Sequence, residues 1–213
     1  DKMKLTSQRI ILAALICILT AVPALAATYD VTETDCAADP GGLLWAIEQA
    51  NANPGPDAID IQAGLQITGC PFPRNSQGEI VQDESSLVIT DSLTINGNGA
   101  SYQGTNLFID LNGKVNLVRR ECPPGKDEVL SSAEASLFRI GERDTVNSGL
   151  DVVIEDMTVK RVSQLAQVRD GANLTLRDVT GEEITDVVSC SRPAIVAFGT
   201  ANLVLENLFL KGI

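Results

Sequence analysis

Apolar and polar residues alternate in short bursts along most of the chain. "LQITG" (65–69), "SLVIT" (86–90), "SLTING" (92–97), "NLFID" (106–110), "KVNLV" (114–118) and "LFRIG" (137–141) are brief apolar-rich stretches that stop at Gly, Asn, Asp or Thr. A period near two, bounded by such residues, predicts strands. One segment follows a different rule. In "DPGGLLWAIEQANANPGPDAIDI" (39–61), Leu43, Leu44, Ile47 and Ala50 recur at helical spacing. Asp39 is placed to cap that helix, with Pro40 in its first turn, where a missing N–H costs nothing. Asn53-Pro54-Gly55-Pro56 stops it. Tyr29 to Glu33 before the helix and Ala58 to Ile61 after it read as strands, and "CPFPRNSQGE" (70–79) and "ECPPGKDE" (121–128) as surface loops.

Three of the strand-like stretches are copies of one phrase. "LDVVIEDMTVKRV" (150–162), "ANLTLRDVTGEEI" (172–184) and "ANLVLENLFLKGI" (201–213) stand at steps of 22 and 29 residues, from Leu150 to Ala172 and from Ala172 to Ala201. Repeats of this period built from short strands predict a solenoid, here a parallel β-helix with equivalent residues about 4.8 Å apart in neighbouring coils. Aligning Ile154, Leu176 and Leu205 tests the register. The next position reads Glu155, Arg177, Glu206, and five further on it reads Lys160, Glu182, Lys211. Both columns alternate in sign, as stacked strands require, because like charges directly opposite destabilise a sheet. Met157, Val179 and Leu208 form an apolar column, as do Val162, Ile184 and Ile213. Asp156, Asp178 and Asn207 form a column suited to sharp turns. The two Asp residues are also candidate calcium ligands, although no D-x-D-x-D-G loop surrounds them. "FRIG" (138–141), "VRDG" (168–171) and "VAFG" (196–199) are lead-ins aligned on their Gly, which makes Arg139 and Arg169 equivalent positions. Residues 185–193 read as a loop inserted between two copies.

The first residues are an address. "MKLTSQRIILAALICILTAVPALA" (3–26) has Lys4 and Arg9, an apolar run from Ile10 to Leu19, and the A-x-A pattern Ala24-Leu25-Ala26. It reads as a signal peptide, since the run covers only about half of a bilayer core; a retained membrane anchor is the competing reading. Asp1 and Lys2 read as a tag remnant or upstream read-through, and Cys17, inside the run, lacks the small residues that a lipidation site wants just before its Cys. Export places the remaining Cys36, Cys70, Cys122 and Cys190 in an oxidising compartment. Cys36–Cys70 and Cys122–Cys190 are the preferred pairings, since each brackets one contiguous stretch; free buried thiols are the alternative.

Composition narrows the chemistry. The net charge of -12 opposes nucleic-acid binding, which needs a cationic face. The chain has no histidine, which removes Ser-His-Asp and Cys-His machinery, H-E-x-x-H zinc sites and imidazole acid–base work. Aromatic residues make up only 4%, so the core is expected to be aliphatic and repetitive.

"GLLWAIEQANANPGPDAIDI" (42–61) resembles the "CSLREAI...AN..GPDTI" cap of bacterial exported right-handed parallel β-helix proteins. Ala46-Ile47, Ala50-Asn51, Asn53, Gly55-Pro56-Asp57 and Ile59 stand at the matching positions, whereas Leu44 and Trp45 replace Arg-Glu and Cys36 is set back. The resemblance implies an all-β, right-handed parallel β-helix with a short N-terminal capping helix. The expected division is leader 1–26, strand and helix cap 27–62, and β-helix coils 63–213 that continue in a longer protein. It implies an exported module that is extracellular, on the cell surface or periplasmic, structural or adhesive and non-catalytic, without a cofactor. Its partner would be an extracellular glycan or a cell-envelope component. One alternative is a pectate-lyase-like enzyme acting on acidic glycans, whose candidate residues are Arg139 and Arg169 beside Asp170, with Asp170 and Glu142 neutralising the two arginines in the plainer reading. The other is a non-catalytic carbohydrate-binding rod.

Overall fold

A computed structural model of the protein describes residues 25–70, 87–104, 136–162, 164–184 and 194–211. These residues are mostly β, in two parallel sheets, with one helix. In chain order the elements are β1 (Thr28–Val31), α1 (Leu43–Ala52), β2 (Asp57–Ile61), β3 (Gln66–Thr68), β4 (Leu87–Ile89), β5 (Leu93–Gln103), β6 (Ser136–Ile140), β7 (Asp151–Lys160), β8 (Gln164–Val168), β9 (Asn173–Glu182), β10 (Ile195–Ala197), β11 (Asn202–Glu206) and β12 (Phe209–Lys211). The leader to Ala24, "NLFID", "KVNLV", the two Pro-rich loops beyond Cys70, the 185–193 insertion and Cys17, Cys122 and Cys190 lie outside the described residues.

The larger sheet runs β1-β2-β5-β7-β9-β11, with β3 beside the second half of β5 and β12 beside the second half of β9. The smaller runs β4-β6-β8-β10. From β4 onward the chain visits the two sheets in turn. Each new strand lies parallel to the previous strand of its own sheet: β8 to β6, β7 to β5, β9 to β7.

Equivalent residues therefore line up across strands, and the inward ranks are apolar. Ile59, Ile95, Ile154, Leu176 and Leu205 form one such rank, and Ile67, Tyr102 and Val159 another. In the smaller sheet Phe138 stands between Leu87 and Ala166. A single large aromatic beside a small residue fills the space that two large ones would overfill.

One residue per repeat sets the shape of the larger sheet. Along β7, Val152 and Ile154 face inward, and strict alternation would carry Asp156 inward next. Instead Asp156 adopts φ 49°, and Met157 and Val159 become the buried residues. The left-handed residue resets the alternation, so both arms of the strand bury their apolar side chains around a bend. Asp178 (φ 52°) does this in β9, and Asn207 (φ 53°) stands between β11 and β12. Asp and Asn tolerate this conformation better than other residues with a Cβ. The expected turn column is thus a column of bends.

α1 begins later than Asp39. Its N-cap is Gly42, which makes no side-chain cap, and the Asp39 carbonyl instead accepts the Gly42 amide in a turn. The reason is close packing: a Cβ on Gly42 would lie 2.3 Å from the Ala37 carbonyl oxygen, which accepts the Trp45 amide. Asn53 is the C-cap, at the predicted stop. The buried face is Leu43, Ala46, Ile47 and Ala50, while Leu44 is half-buried.

α1 packs on β1, β2 and β4, and β1 and β4 are edge strands of the two sheets. Asn51 completes the β4 edge. Its Nδ2 donates to the Val88 carbonyl at 2.7 Å, and its Oδ1 accepts the Thr90 amide at 2.8 Å. One side-chain amide supplies the hydrogen bonds a further strand would make. Cys36 and Cys70, both buried, are joined by a disulfide near β3.

Tyr102 is enclosed in this core. Burial pushes its phenol up to about 12, against a smaller downward pull from its hydrogen bond with the Cys70 backbone. Folding favours the neutral phenol. Its contribution is complete below the unfolded value near 10 and is lost as pH rises through about 12. Alkaline titration should show Tyr102 ionising together with unfolding, and Tyr102→Phe should move the alkaline unfolding midpoint upward. An unchanged midpoint in that variant would refute this account.

Candidate functional site

The charged residues of the larger sheet are arranged for one another. Arg177 stands in register with Glu155 on one side and Glu206 on the other. Its Nη1 reaches Glu155 and its Nε reaches Glu206, each at 2.7 Å. Glu206 first and Glu155 second raise the guanidinium above its ordinary value. Lys160 bonds Glu182 at 2.9 Å and holds its carboxyl below the usual range, with Lys211 in register beyond. A third pair, Arg161 with Glu183 at 2.9 Å, continues the pattern. That pair was legible as "KR" over "EE" one repeat apart but was missed, because Gly212 ends its alternation. Asn–Asp contacts extend the same theme, with Asn173 donating to Asp151 at 2.6 Å, Asn207 to Asp178 at 2.9 Å, and Asn96 to Asp60.

The candidate catalytic residues are arranged differently from the expectation. Arg139 and Arg169 are not equivalent. Arg139 lies opposite Gln167, and Arg169 sits two residues farther along. The lead-in glycines misled the alignment because the turns differ in length. Gly141 directly follows Ile140, whereas Arg169 and Asp170 intervene between Val168 and Gly171, and Phe198 between Ala197 and Gly199.

Arg169 instead lies over the Phe198 ring, 4.6 Å from its centroid, and its Nη2 donates to Gln167 Oε1 at 2.8 Å. A cation on an aromatic face is attracted by the ring quadrupole. Asp170 is a tie between turns. Its carboxylate accepts the Thr200 amide at 2.7 Å and the Thr200 hydroxyl at 2.6 Å, and its carbonyl accepts the Asn147 amide at 2.8 Å. The Thr200 hydroxyl first and amide second hold the Asp170 carboxyl below the usual range. A carboxylate so held is a poor proton donor or acceptor near neutrality.

Glu142 belongs to a neighbouring turn, where Asn147 Oδ1 accepts its amide and Asn147 Nδ2 donates to its carbonyl. The residues that sequence reasoning missed are Gln167, Phe198, Thr200 and Asn147. Gln167 lies in β8, all five residues of which are buried, so no alternation marked it as a strand.

Asp156 and Asp178, the weak calcium candidates, occupy the bends, and Asp178 accepts from Asn207. Among the described residues no three acidic, Cys or His side chains gather to hold a metal ion. No helix among them is long and apolar enough to cross a membrane. The chain matches no protein-family model, no curated protein and no solved structure.

Proposed function

We propose that the chain is a right-handed parallel β-helix, exported to the periplasm, the cell surface or the medium, and that it serves as a structural or adhesive module and not as a catalyst. The observation that carries this reading is the rank Glu155–Arg177–Glu206, whose charges bind one strand to the next. Catalytic side chains converge on a substrate, whereas these converge on each other. Right-handedness rests on the general preference of parallel crossovers. Export is supported by the leader-like residues 3–26, and the Cys36–Cys70 disulfide fits an oxidising compartment. The cap resemblance at 42–61 accords with α1 lying over two sheet edges.

An assay over a panel of acidic glycans, following unsaturated-uronate absorbance and reducing ends with calcium and with chelator, is expected to show no turnover. Turnover abolished by Arg169→Ala would overturn the structural reading. A second reading, a glycan-binding rod, is favoured by Phe198, an exposed aromatic backed by Arg169. Glycan binding without turnover, lost in Phe198→Ala, would select it.

A further inference from the structure

A buried carboxylate at the capped side of the molecule has neutral partners. Asp57 opens β2 in the inward rank that continues through Leu93 and Val152, and it is 4% exposed where they are 2% and 1%. A carboxylate among apolar side chains is costly unless a cation or several donors meet it. Among the described residues its donors are the Ala27 amide at 2.7 Å and the Asn53 side-chain amide at 2.9 and 3.1 Å. Neither is charged. Asp91 and Asp151 line the same groove as Asp57, so the surrounding field also favours a cation.

Ala27 is where that cation would come from. It directly follows Ala24-Leu25-Ala26, the cleavage pattern of the leader. Leu25 is 77% exposed and Ala26 is exposed, so the Ala26–Ala27 bond lies open. Ala27 itself is half-buried. Its carbonyl accepts the Ala58 amide at 2.8 Å, next to the pairing of Thr28 with Ala58 that joins β1 to β2. The sheet therefore holds the Ala27 nitrogen beside Asp57 without help from the leader.

We infer that Asp57 is the binding site for the α-ammonium of the processed chain. Hydrolysis adds water across the Ala26–Ala27 peptide bond. The carboxylic acid released on Ala26 gives up its proton, and the amine released on Ala27 takes one up. The nitrogen that donates to Asp57 as an amide then donates as a cation from the same place, and a charge-assisted hydrogen bond replaces a neutral one. Asn53 Nδ2, which also donates to the Leu25 carbonyl at 3.2 Å, is released to serve the carboxylate alone. Asn53 ends α1 and Asp57 starts β2, so the pair fastens the new terminus to the turn between helix and sheet. The cap gains this bond only once the leader is gone, which leaves the precursor less stable than the exported chain. The inference rests on the export reading above and adds to it the residue that receives the new terminus.

The test expresses the full chain, leader included, in an exporting bacterial host and recovers the processed protein. Its intact mass is expected to place the first residue at Ala27. Reductive methylation of the terminal amine at about pH 7, followed by peptide mass, then measures how far Asp57 holds the amine protonated. The comparison is a chain with one extra Ala inserted between Ala26 and Ala27, which moves the ammonium one residue away and leaves an amide on Asp57. Methylation of the Ala27 terminus is expected to be at least about tenfold slower than that of the extended chain, and Asp57→Asn should remove the difference. If Asp57→Asn does not fold, the extended chain alone decides. Equal rates in the parent and extended chains, or an exported chain that starts at another residue, would overturn the capture and leave export standing. A chain that keeps its leader and stays in the cytoplasm would overturn the export reading and the capture with it.

Discussion

Ile154→Ala is expected to lower the unfolding free energy by about 2–5 kcal/mol, while Leu205→Ala in the same rank costs less than about 1 kcal/mol. Ile154 is 1% exposed and stands between Ile95 and Leu176, both buried. The strands on either side are held by parallel ladders, so the space left by the missing methyl and methylene groups cannot close by moving one backbone. A rigid wall is the condition under which the cavity contribution is largest. Leu205 has the same neighbours on one side only and already meets water on the other. Urea denaturation at fixed pH measures both, and the midpoint should move with little change in slope, because neither substitution alters the unfolded chain much. Similar losses at the two positions would mean that the rank is not the unit of packing. Against a typical total of about 5–15 kcal/mol, the Ile154 variant sits close to the limit of stable folding.

The contrast also shows which features of the fold could be read in advance. The copies at 150–162, 172–184 and 201–213 determine their own register. Glu155 and Arg177 had to be neighbours if the phrases stack, and they pair at 2.7 Å. The Asp156, Asp178 and Asn207 bends were visible for the same reason, since an Asp/Asn column between two apolar alternations marks the residue where the alternation resets. The smaller sheet was harder to read. β8 is buried on both faces, and β10 has three residues, so neither carries the periodicity that reveals a half-buried strand.

The candidate site was the least legible part. Glycine in a turn reports where φ is positive, not how far the preceding strand has run. Gly141, Gly171 and Gly199 all have positive φ, yet they follow their strands at different distances. Aligning on them displaced Arg169 by two residues, and a displacement of two keeps a side chain on the same face of a strand. The error therefore left a plausible arginine pair on one surface, and only the ladder partners Arg139 and Gln167 expose it. Asn51 was hidden for a different reason. Its role depends on the β4 edge lying beside α1, through contacts to residues 37 and 39 positions away that no local pattern encodes.

Loss of the Cys36–Cys70 disulfide should cost about 4 kcal/mol on the chain-entropy model, within a usual range of about 2–5 kcal/mol. The bond closes a loop with a sequence separation of 34 that contains α1, β2 and β3. It thereby ties the covered edge of the larger sheet to the strand beside β5. Most of the effect is expected in the unfolded state, where the open chain gains freedom that the crosslinked one lacks. That origin distinguishes it from the Ile154 variant. A Cys36→Ala/Cys70→Ala double variant should unfold at lower denaturant and with a steeper slope, because its unfolded chain expands and exposes more surface. Added reductant should then leave the double variant unchanged if no other cysteine pairing contributes, which makes the same measurement a probe of Cys122 and Cys190. A double variant that melts with the parent protein would show that the covered edge is held by α1 packing and the Asn51 amide alone.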